Sequence, residues 1–114
     1  MKSKTALKIV EWTSLPLLLF VVLYFVSGYA LTSETARQAS IIMNFSRAQL
    51  IHLGRATRLT LLTLFLLHSY AGTELLAGKL KARGRTLLGA AVDYTATAFL
   101  LYVLWVVLNA ELRG

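Results

Sequence analysis

His68 and Gly72 stand four residues apart inside a long apolar stretch, Leu59 to Gly78, LTLLTLFLLHSYAGTELLAG. On a helix that spacing puts them on one face, one turn apart. A histidine in the middle of a membrane span is costly unless something uses it. The glycine beside it clears room for a flat ligand against the backbone. The flat ligand that suits a neutral imidazole inside a membrane is haem, so His68 is the expected axial ligand. The competing reading is a histidine that simply hydrogen-bonds a neighbouring helix.

The other chemically able residues are few. His52 is the only other histidine. On one continuous helix it would lie about 24 Å from His68 and turned by roughly 160°, so the two could not share one iron. Either His52 reaches in from a bent helix, or a second chain supplies the other ligand, or each histidine serves its own haem; otherwise it is an interfacial polar residue. Arg55 and Arg58 can pair haem propionates or anionic headgroups, or act as plain interfacial anchors. Glu74 and Asp93 are acids within apolar runs. Glu74, five residues before Lys79, can snorkel to the interface or pair with that lysine. Asp93, beside Tyr94, can line a quinone or proton path or bridge to Lys79, Arg83 or Arg85. Ser27, Tyr29 and Tyr70 are polar enough to bond a quinone carbonyl. No nucleophile–base pair, phosphate loop or metal-box spacing is present, so an autonomous enzyme is not expected.

These residues need elements to hold them, and the composition says which solvent the elements meet. The chain has 114 residues, 57% of them hydrophobic, and a mean hydropathy of +0.66. A soluble domain of that length cannot hide so much apolar surface. The net charge is +7 with only 15% charged residues. The basic groups sit at the ends of apolar runs, which is membrane patterning rather than a nucleic-acid surface. With no cysteine, disulfides, iron–sulfur ligation and covalent haem attachment by this chain are excluded.

The expected fold is all-α: one integral membrane domain over residues 1–114, a three-helix bundle with spans at about 13–31, 57–78 and 87–108. The first run is read as a span rather than a secretory signal peptide, with Pro16 in its first turn. Between the first two spans, Ile41, Ile42, Phe45, Ala48, Ile51 and His52 recur at helical spacing from Ala36 to Leu53. That predicts an amphipathic helix at the membrane surface, with a bend at Gly54 before the second span. Ala90, Ala91, Ala96 and Ala98 suit close helix packing. Lys2, Lys4, Lys8, Lys79, Lys81, Arg83 and Arg85 fall on one side; Arg37, Arg47, Arg55, Arg58 and Arg113 fall on the other. The positive-inside rule then puts the N-terminus in the cytoplasm and the C-terminus outside the cell (inner) membrane.

The stretch Leu66-Leu67-His68-Ser69-Tyr70-Ala71-Gly72, the three spans and the basic turn into the third resemble the small membrane-anchor subunits of succinate dehydrogenase and fumarate reductase. The resemblance covers most of the chain in layout and few residues in identity. It implies haem b shared with another membrane-anchor subunit, and flavoprotein and iron–sulfur subunits docked on the cytoplasmic face. That family's smaller anchor often has an Asp-Tyr pair where this chain has Lys79 and Leu80; Asp93-Tyr94 lies further on. Ser27-Gly28 at the end of one span, followed by His52 and His68, also resembles small di-histidine membrane b-type cytochromes. Either resemblance implies electron transfer between soluble redox subunits and membrane quinone. The alternative is a cofactor-free structural or assembly subunit of a larger membrane complex.

Overall fold

The computed structural model describes residues 2–41 and 43–113. They form α1 (Ser3–Thr32), α2 (Glu34–Ser40), α3 (Phe45–Leu53), α4 (Arg55–Ala82) and α5 (Thr86–Arg113). The all-helical expectation holds among the described residues. Of these helices, α1, α4 and α5 are long and apolar enough to cross a membrane. They overrun the expected spans: α1 and α4 each add residues before the apolar run, and α5 continues to Arg113. Pro16 therefore sits inside α1 rather than in its first turn. A proline there withholds one N–H from the helical ladder, which long apolar helices tolerate where nearby groups re-satisfy the freed carbonyl.

The connection between the first two long helices is two short helices rather than one. Asn44 opens α3 as N-cap, its side-chain oxygen accepting from the Arg47 N–H at 2.8 Å. Ser33 does the same for α2, accepting from the Ala36 N–H at 3.2 Å. Ile41 ends α2 at φ 69°, ψ −48°, a conformation that no helix continues through. Its neighbour Ile42, expected on the apolar face, lies outside the described residues. Gly54 then breaks the chain in extended backbone at φ −67°, ψ 134°. Any side chain at Gly54 would strike the Leu50 carbonyl. The bend foreseen at Gly54 is thus a complete break, and His52 and His68 do not lie on one helix.

The contacts divide the chain into two units. One runs from Trp12 to Phe65. Ala30, Met43 and Ala48 are its buried centre, with Leu23, Val26, Leu31 and Ile51 packed around them. Arg37 donates from Nη1 to the Ala30 carbonyl at 2.7 Å, satisfying an acceptor near the end of α1 that the helix itself leaves open. Arg58 likewise donates to the Leu53 carbonyl at the end of α3, at 3.2 Å. The other unit holds the chain up to Glu11 and from Leu66 onward. Small residues make its closest approaches, with Ala6, Ala71, Ala77 and Gly89 buried. A Cβ at Gly89 would lie 2.9 Å from the Ala77 carbonyl oxygen, so α5 meets α4 backbone to backbone there. Most large apolar side chains face outward, and the most apolar stretch of α5 holds no buried residue. Small residues inside and large ones outside is the pattern expected of helices in lipid.

Candidate functional site

His68 occupies the centre of α4, with thirteen residues of that helix before it and fourteen after (68 − 55 and 82 − 68). It is half-buried. Gly72 follows on the same face, and a Cβ added there would meet nothing within 4 Å. The clearance inferred from the spacing is therefore present. Tyr70 and Tyr94 are exposed, and the carboxyl groups of Glu74 and Asp93 are brought together between α4 and α5. Asp93 thus has a partner on the neighbouring helix, a different one from the basic residues expected from the sequence.

The other histidine is the more completely positioned of the two. The break at Gly54 frees α3 to fold against the end of α1, and this places the His52 imidazole on Gly28. A Cβ at Gly28 would stand 2.8 Å from His52 Cε1, so only glycine admits the ring at this distance. Tyr24 stacks on one face of the imidazole, with ring centroids 4.1 Å apart and 28° between planes. His52 Nδ1 lies 3.0 Å from the Tyr24 carbonyl oxygen and 3.3 Å from Ser27 Oγ. A carbonyl oxygen only accepts, so Nδ1 carries the proton and donates it. Ser27, fully buried, gives its own hydroxyl proton to the same carbonyl at 3.0 Å and leaves a lone pair for Nδ1–H. In the neutral ring, Nε2 is then the unprotonated nitrogen. A histidine held through one nitrogen by a carbonyl, with the other left as a base, is arranged for ligation or for accepting a proton.

The structure thus joins Ser27, Gly28 and His52, which the sequence scatters over two elements. Tyr70, Asp93 and Tyr94, also considered for quinone, belong to the other unit. Arg55 and Arg58 stand in the first turn of α4, exposed. Tyr24 escaped the sequence reading. The signal was there: it precedes Ser27 and Gly28 by three and four residues, which puts all of them on one face of α1.

Among the described residues no group of three or more His, Cys, Asp or Glu side chains could hold a bare metal ion. Haem asks less of the chain, because the macrocycle supplies four ligands and the protein one or two. The His68–Gly72 face fits that demand: one imidazole, and one turn along it a single position without a side chain and with open space beside it. Compared with known proteins, the chain matches no family model, no curated protein and no solved structure.

Proposed function

We propose that this chain is a membrane-anchor subunit of a respiratory oxidoreductase, helping to hold haem b and to pass electrons between soluble redox subunits and membrane quinone. The observation that carries the reading is the place of His68. A 28-residue helix is about 42 Å long, close to the full thickness of a bilayer with its headgroups, about 40–45 Å. Its central residue then lies near the midplane, where an ionisable side chain is costly and marks a candidate functional site. Gly72 on the same face leaves the clearance a macrocycle needs. Haem, when bound, supplies one-electron chemistry; the chain supplies the ligand, its orientation and a medium of low dielectric. Arg55 and Arg58 are suited to anionic groups at the membrane surface. The second axial ligand comes from another anchor chain, and the soluble flavoprotein and iron–sulfur subunits dock on the cytoplasmic side, where the lysines gather.

The test is the visible spectrum of the chain isolated with its native partners. His68→Ala should abolish the haem b band or render it high-spin. Alanine keeps the helix, having the best helix propensity. An unaltered spectrum refutes the assignment and leaves the cofactor-free assembly subunit as the reading.

A further inference from the structure

We propose that the cleft beside His52 binds the head group of a membrane quinol, with Nε2 accepting a hydrogen bond from its hydroxyl. The assignment deepens the reading above by giving its quinone a site.

The cleft has a volume of about 300 Å³ and is lined by Tyr24, Phe25, Gly28, Tyr29, Thr32 and His52. That is the lower end of the range for small-molecule sites and fit for a single substituted ring. Its walls are the rings of Tyr24, Phe25 and Tyr29 and the imidazole seated on Gly28, with Thr32 at one edge, which suit a flat ligand. Within them His52 presents an unprotonated nitrogen, because Nδ1–H is committed to the Tyr24 carbonyl and Ser27. An acceptor among apolar walls selects a ligand that brings a donor, since a polar group buried without its partner is costly. A quinol brings a hydroxyl donor; the oxidised quinone brings only carbonyl acceptors. The Tyr24 stack and the Gly28 contact keep the imidazole from turning, so the preference for the reduced form is built into the fold. Phe25 and Tyr29 are largely exposed on α1, at a helix long and apolar enough to cross a membrane. A ligand with an isoprenoid tail is thus matched by the surface around its head.

The experiment uses vesicles carrying the chain assembled with its native partners and measures equilibrium binding of a labelled short-tailed benzoquinol and of its oxidised form. Wild type should bind the quinol about tenfold more tightly, the upper worth of one neutral hydrogen bond. His52→Phe keeps a ring against Tyr24 and removes the acceptor, so the preference should vanish. Thr32→Trp, at an exposed position on the cleft wall, should weaken binding of both forms and leave the fold intact. Equal binding of the two forms by wild type overturns the proposal, as does an undiminished preference in His52→Phe. Loss of the haem b band in His52→Phe would make His52 an iron ligand and overturn it too, while the haem reading stands. A wild-type chain that shows the quinol preference but no haem b band supports the site and removes the haem reading alone.

Discussion

Gly28 and Gly72 do opposite things for their histidines. Gly28 is filled by the ring of His52, whereas the space beside Gly72 is open. Substitutions at the two should therefore separate. Gly72→Leu fills the clearance on the expected haem face. It should lower or distort the haem b band with His68 intact, at a cost of about 1–3 kcal/mol for overpacking a fitted site; absorbance of the isolated complex checks this. Gly28→Ala should instead displace His52 from Tyr24 and abolish the preference for reduced quinol, without loss of haem. The place of His68 inside a long helix was legible because a histidine in an apolar run is conspicuous. The setting of His52 was not. Its partners Tyr24, Ser27 and Gly28 lie on another element, and no periodicity within one segment reports which face of a different helix it will meet.

The helices themselves were easier to read than their ends. Long apolar runs declare α1, α4 and α5, but a run marks only the part that needs lipid. The helix continues past it as long as the backbone can stay hydrogen-bonded, which is why Pro16 turned out to be internal. The connecting segment was read as a single helix from Ala36 to Leu53 because apolar residues recur at helical spacing from Ile41 to His52. What breaks the pattern is local chemistry: the Asn44 cap and the positive φ at Ile41. Asn44→Ala should destabilise α3 by about 0.5–2 kcal/mol, the usual worth of an N-cap, read as a lower melting temperature of the purified complex. In the unit containing α5, Gly89→Leu should be worse. Its side chain has nowhere to go but into the Ala77 carbonyl and the Lys81 stem. The α4–α5 pair should open, with loss of assembled complex on native gels.

At the scale of the whole molecule, the chain has many large apolar side chains and leaves most of them exposed. Expressed alone it should aggregate or be degraded, and co-expression with its native partners should rescue it; a well-behaved haem-free monomer in detergent would count against the proposed function. The lysine asymmetry makes a second claim. A reporter fused after the C-terminus should signal from outside, and a cytoplasmic signal would end either the span count or the orientation. The lock between α3 and α1 has a further consequence. The bond from His52 to the Tyr24 carbonyl joins residues 28 apart in sequence, so it closes a loop around α2 and α3. Closing a loop removes freedom from every residue inside it. The amides of residues 33–41 and 43–52 should therefore resist hydrogen exchange as one cooperative block. Breaking the His52 bond should weaken protection across the block together rather than fray it from one end.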